Sequence, residues 1–158
     1  MIPYLKCMLV VAAALHLPPR VLPVIQALEG GRVGLVHQNT DGTQDLGVMQ
    51  VNTLWLPVMA SRAGLSIAET RERLIAEPCF NIAAAGLVLR RYLDETGGAL
   101  LQAIGDYHSH TPALNRRYRT RAEETALRLF APPAPAPRPH PQPRPERLSL
   151  DASRPAGR

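Results

Sequence analysis

The sequence predicts a mostly α, α+β domain with one small β-hairpin and a Pro/Arg-rich C-terminal tail, and three observations point there. Aromatic residues are only 4% of the 158 while hydrophobic residues reach 46%, so the core has to be built from Ala, Leu, Val and Ile. That composition suits packed helices better than a sandwich of strands. Stretches with helical spacing recur between start and stop signals up to about Phe130. One segment, Val36 to Val48, carries the opposite signature of short extended runs around turn chemistry. This length supports one compact core, which gives a folded domain over 1–130 and a tail over 131–158.

Cys7 to Leu17 is apolar for about the length of a signal-peptide core, but no clean Ala-x-Ala site follows and Pro18 and Pro19 come at once. It reads as the first helix of the domain, with the export signal missing or upstream, and it is too short to span a bilayer. A second helix opens after the two prolines, with Val21, Leu22, Ile25 and Leu28 at helical spacing, and stops at Gly30 and Gly31. Asn39-Thr40-Asp41-Gly42 supplies the hairpin turn. Ser66 and Glu69 form a capping-box pattern for a helix from about Ser66 to Ala76. Further helices are expected over Phe80 to Glu95, stopped by Gly97 and Gly98, over Ala99 to about Tyr107, and over Pro112 to about Leu129. From Ala131 to Pro145 proline stands at nearly every second position, which forbids helix and favours an extended, solvated chain: a spacer, or a tether for a partner complex.

The net charge of +5 and pI of about 9.9 favour polyanionic partners without choosing among them. Arg90, Arg91, Arg116, Arg117, Arg119 and Arg121 lack the interleaved aromatics of single-strand binders, so no nucleic-acid partner is expected and these arginines read as solvated helix faces. Cys7 and Cys79 fit no zinc-ligand spacing; from the count alone they are either paired or two buried thiols. His108 and His110 have no third ligand in view, and Asn39 to Asp45 lacks the distal glutamate of a calcium loop, so neither metal nor cofactor is expected.

Glu29 follows Val24, Ile25, Ala27 and Leu28 at the last turn of a helix. There the negative end of the helix dipole and, where the side chain is partly buried, its desolvation both raise a carboxyl pKa, producing a group able to donate a proton near neutrality; the alternative from these residues alone is an ordinary exposed glutamate ending a helix. Cleavage of a glycosidic bond needs such a donor at the leaving oxygen.

The segment from Asn39 through Gly47-Val48-Met49-Gln50-Val51-Asn52 to Trp55 closely resembles the hairpin and following helix of the animal c-type lysozymes and the equivalent part of the bacterial lytic transglycosylases of the SLT family. Three stretches favour the bacterial branch, in particular its small members that accompany conjugation and secretion machines. Gly47-Val48-Met49-Gln50 is similar to that family's glycine-hydrophobe-Met-Gln signature, Glu77-Pro78-Cys79-Phe80-Asn81-Ile82 to its cysteine-bearing helix start, and Gly105-Asp106-Tyr107-His108-Ser109 to its substrate-lining tyrosine motif. Together they span most of residues 7 to 120. One departure is Gly30, which stands where the family usually has Ser after its catalytic Glu, so the hydrogen bond made there has no side chain to make it.

The resemblance implies a lysozyme-like fold and makes Glu29 the acid and base. It makes Met49, Gln50, Asn52, Tyr107 and His108 groove residues, and pairs Cys7 with Cys79 in a disulfide. Met49 is expected to pack against the acid, Tyr107 to offer a ring and a hydroxyl, and Gln50 and Asn52 to bond sugar hydroxyls or N-acetyl groups. Asp45 occupies the place of the second lysozyme carboxylate, or serves the hairpin turn. The implied activity is cleavage of peptidoglycan strands with formation of 1,6-anhydromuramyl ends. The alternatives are a retaining hydrolase using Glu29 and Asp45, and a weakly active glycan-binding scaffold whose tail recruits a secretion, pilus or conjugation complex. The implied setting is the bacterial periplasm, and the chain is read as a monomer.

Overall fold

Residues 1–132 are described by a computed structural model; all but the first two residues of the expected tail lie outside them. Among the described residues the chain runs α1 (Leu5–Ala14), α2 (Val21–Glu29), β1 (Val36–Gln38), β2 (Gln44–Leu46), β3 (Val51–Asn52), a 3-10 turn (Thr53–Trp55), α3 (Leu56–Ala63), α4 (Ile67–Ala76), α5 (Pro78–Glu95), α6 (Leu100–His108) and α7 (Pro112–Phe130). The mostly helical class with a small antiparallel sheet is as the composition requires.

The core is aliphatic, as a chain with few aromatics dictates: Met8, Leu22, Ile25, Leu46, Leu74, Ile82 and Leu89 are all 0% exposed. α5, the central helix, supplies Ile82, Ala85, Val88 and Leu89 to it and packs against α1, α4 and α6. α7 closes the structure by lying on α6 and α2. The Ser66 capping box forms as expected, with Glu69 accepting from the Ser66 amide and Ser66 Oγ accepting from the Glu69 amide. Cys7 of α1 and Cys79 in the first turn of α5 form a disulfide, with Cα atoms 5.5 Å apart and a separation of 72 positions in sequence.

Three details differ from the sequence expectation. The sheet has three strands, because the chain after β2 turns back and pairs Asp45 with Asn52 and Leu46 with Val51. A further helix, α3, follows; Pro57 in its first turn and Gly64 just past its end are the punctuation that marks it. α1 is also shorter than the apolar run, ending at Ala14 rather than Leu17.

Candidate active site

α2 delivers Glu29, its last residue. Gly30 ends the helix in the left-handed conformation (φ 60°), where a side chain is strained, which accounts for glycine at this position on conformational grounds. Gly31 then passes so close to the sheet that a Cβ would run into the backbone carbonyls of Gly47 and Val48. The glycine pair therefore lets the end of α2 lie directly against the base of the hairpin.

The hairpin supplies the opposite wall. Val36 pairs with Leu46, His37 with Asp45 and Gln38 with Gln44, and the turn is closed by the Asn39 amide donating to the Thr43 carbonyl at 2.9 Å and the Thr43 amide to Asp41 Oδ1 at 2.9 Å. Asp45 is held from both sides: Asn39 Nδ2 donates to its Oδ2 at 3.0 Å and Asn52 Nδ2 to its Oδ1 at 2.8 Å. Between these walls, α5 and the end of α6 lies a cleft of about 530 Å³. Glu29, Asp45, Gln50, Asn52, Tyr107 and His108 all line it, so the structure brings together every expected site residue but one.

The exception is Met49, which is 0% exposed and does not line the cleft. Its expected place on the groove surface is corrected: it lies beneath the floor, its amide donating to Asn81 Oδ1 at 2.8 Å and its carbonyl accepting from the Tyr107 hydroxyl at 3.0 Å. The same bond ties the Tyr107 hydroxyl to the backbone, while Tyr107 remains among the residues lining the cleft. Asn52 is also largely committed inside the hairpin, its Oδ1 capping the 3-10 turn through the Leu54 amide at 2.9 Å. Gln50 adopts a left-handed backbone (φ 49°) and turns its Nε2 back onto the Gly47 carbonyl at 2.8 Å.

Glu29 is partly buried, and its carboxyl is pushed up to about 7. Loss of hydration on burial is the main cause; the Asp45 charge adds to it, while the hydrogen bond from Tyr118 and the Arg121 guanidinium oppose it. Tyr118 Oη donates to Glu29 Oε1 at 2.5 Å from α7, and the His108 ring stacks on the Tyr118 ring with centroids 4.7 Å apart and planes 9° from parallel. Burial, helped by Arg121, lowers the His108 pKa, which keeps this neighbour of the acid neutral near pH 7. Sequence reasoning missed Tyr118. Its one trace is helical spacing: with Asn115, Ala122 and Thr125 it forms the one buried stripe along an otherwise arginine-rich helix, and the polar Asn115 and Thr125 keep that stripe from standing out in the sequence.

Trp55 and Tyr92, packed edge to face at 5.8 Å, also line the cleft, and His110 meets the Tyr92 ring at 5.1 Å. These rings offer apolar faces beside the polar hairpin wall, a combination that suits a sugar, which has both kinds of surface. Chemically, the cleft holds a proton donor in equilibrium near neutrality and amide and carboxylate groups for hydroxyl-rich ligands.

No family model matches the chain. It is similar to Protein IpgF of Shigella flexneri, with 25% identity over 116 residues that cover 73% of this chain and 72% of that protein.

Proposed function

We propose that the chain is a peptidoglycan lytic transglycosylase that cuts the β-1,4 bond between N-acetylmuramyl and N-acetylglucosaminyl residues, with Glu29 as both acid and base. The observation that carries this reading is the Glu29 carboxyl: raised to about 7 by burial, it sits in a long polar cleft and is oriented by Tyr118. In the first step protonated Glu29 gives its proton to the leaving glycosidic oxygen as the C1–O bond breaks, and the muramyl acetamido oxygen supports the cationic C1. In the second, the Glu29 carboxylate takes the proton of the muramyl 6-hydroxyl while that oxygen bonds to C1, closing the 1,6-anhydro ring and returning the acid to its starting state.

Asp45 favours this single-carboxylate scheme over a retaining hydrolase. Both its oxygens already accept hydrogen bonds from hairpin asparagines, so it serves the hairpin and the electrostatics of Glu29 rather than standing free as a nucleophile. The disulfide fits an oxidising compartment, in keeping with a periplasmic site of action. The resemblance of the motifs to secretion-associated transglycosylases supports local opening of the wall for a secretion, pilus or conjugation apparatus. We assign the proline-rich tail, outside the described residues, to contact with that apparatus.

Digestion of purified peptidoglycan followed by mass analysis of the released fragments tests the reading. Anhydromuramyl products lost in Glu29→Gln are expected; reducing-end products would replace the transglycosylase by a lysozyme-type hydrolase. Release of nothing, with strands still bound, would leave only a glycan-binding scaffold.

A further inference from the structure

α1 presents an outer face that a surface helix rarely has. Its exposed residues are Leu5, Lys6, Leu9, Val10, Ala13 and Ala14, and Lys6 is the one polar side chain among them. Leu5, Leu9 and Ala13 stand four apart and form an outward stripe with Lys6 and Val10 beside it, while Met8 and Ala12 point into the core. Leu5, Leu9 and Val10 are 36%, 43% and 61% exposed, and Tyr4, just before the helix, is 39% exposed. A helix with one buried side ordinarily carries polar groups on the other, so an outer face this apolar marks a contact surface.

The charge around the stripe says what covers it. Residues 1–28 include Lys6 and Arg20 and no Asp or Glu. α1 packs on α2 and α5. The acid of α2 is Glu29, which lies in the cleft. The acids of α5 are Asp94 and Glu95, paired with Arg90 and Arg91, and Glu77 before it is paired with Arg73. The surroundings of the stripe are therefore positive on balance. A second copy of the same face would bring like charges together, whereas an anionic lipid surface accepts both the apolar stripe and the cations. At ten residues α1 is about 15 Å long, and no described helix is long and apolar enough to cross a membrane, so the contact is with the surface of the bilayer.

We propose that the outer face of α1 docks the domain on an anionic bilayer. Leu5, Leu9 and Val10 enter the boundary between headgroups and acyl chains, Tyr4 lies at headgroup level, and Lys6 extends its ammonium to a lipid phosphate. The Cys7–Cys79 disulfide keeps α1 on α5 while its outer face is engaged. α1 supplies no residue to the cleft, so docking leaves Glu29 open to its substrate.

Flotation of the full, oxidised chain with vesicles of phosphatidylglycerol and phosphatidylethanolamine in equal parts tests the proposal, with phosphatidylcholine vesicles for comparison. Binding to the anionic vesicles and little to the zwitterionic ones is expected. Leu9→Gln with Val10→Gln should weaken it at least about tenfold, and Lys6→Glu should weaken it several-fold, with the melting temperature and the cleft chemistry unchanged. Val10→Gln alone, at the most exposed of these positions, keeps the comparison should the double variant lose its fold. Binding made only by the arginines beyond Pro132 would survive these substitutions, so unchanged flotation of the variants overturns the proposal. Absence of flotation by the wild type overturns it as well, and a dimer seen in sedimentation that the same variants abolish would then give the face to a second copy.

Discussion

Glu29 sits under opposed influences, and removing each one moves its pKa in a known direction. Asp45→Asn takes away a neighbouring negative charge, so the pKa falls and the alkaline limb of the activity profile moves to lower pH; Tyr118→Phe removes a bond that favours the carboxylate, so the limb moves up. Both shifts are read from kcat/KM against pH on solubilised strands, and movement of the two in the same direction would contradict the geometry. Complete loss of cleavage in Asp45→Asn would show that one carboxylate is not enough. The burial of Glu29 also appears as stability. With a pKa of about 7 in the fold against 4.5 in the unfolded chain, the folded protein binds the extra proton between these values. Its contribution is fully present below 4.5 and is lost as pH rises through 7. Glu29→Gln, which carries no charge at any pH, should therefore be more stable than wild type at pH 8 by at most about 3 kcal/mol and nearly equal to it at pH 4, as measured by urea unfolding. Equal stability at pH 8 would mean that the carboxyl is well hydrated. Glu29 itself was legible in the sequence only when its place at the end of an apolar helix before two glycines was joined to the motif resemblance of the hairpin that follows. Tyr118 was not, since its partner is 89 residues away and its helix presents mostly charge. Met49 was misplaced because its motif was read as surface, when it is the Met49 backbone that Asn81 and Tyr107 hold.

Among the elements, the hairpin has little to stabilise it alone, with two strands of three residues and one of two. Asn81, 0% exposed in the first turns of α5, ties it to the helices: its Nδ2 donates to the Leu46 carbonyl at 2.7 Å and the Leu74 carbonyl at 2.8 Å, and its Oδ1 accepts from the Met49 amide. One side chain thus fixes β2, the end of α4 and the segment under the cleft floor. Asn81→Leu leaves three buried backbone groups without that partner and should cost roughly 3 kcal/mol or more. The loss should be concentrated in the hairpin, seen as faster amide exchange over residues 44–52 than over α5. Uniform exchange across both would mean that the hairpin is not a separately tethered unit. The turn of this hairpin was legible from Asn39 to Gly42 because its chemistry is local. The third strand was not, because a two-residue pairing leaves no periodicity and is fixed only by the return of the chain across β2. α3 went unread for a related reason: at eight residues it shows too few turns of pattern, although its proline and glycine were in place.

At the scale of the whole molecule, the cleft is formed by α2, the sheet, α5 and α6 with α7 behind Glu29, while α1 contributes no lining residue and packs on α2 and α5. Its helical state was read from an apolar run that was also weighed against a secretion signal, and in the fold Met8 and Ala12 of that helix are buried against the core. Yet Leu9 and Val10 on the same helix are 43% and 61% exposed, so burial holds only one side of it and the disulfide does much of the anchoring. Closing a loop across 72 residues removes chain entropy from the unfolded state worth about 4 kcal/mol in the loop-closure account. The double variant Cys7→Ser with Cys79→Ser, or the reduced wild type, should then unfold at a temperature lower by on the order of 10 °C. Because the crosslink lies apart from the carboxyl, the pH at which Glu29 titrates should stay the same below that temperature. A fall in melting temperature joined to a displaced Glu29 titration would mean that α1 shapes the cleft as well as securing the fold.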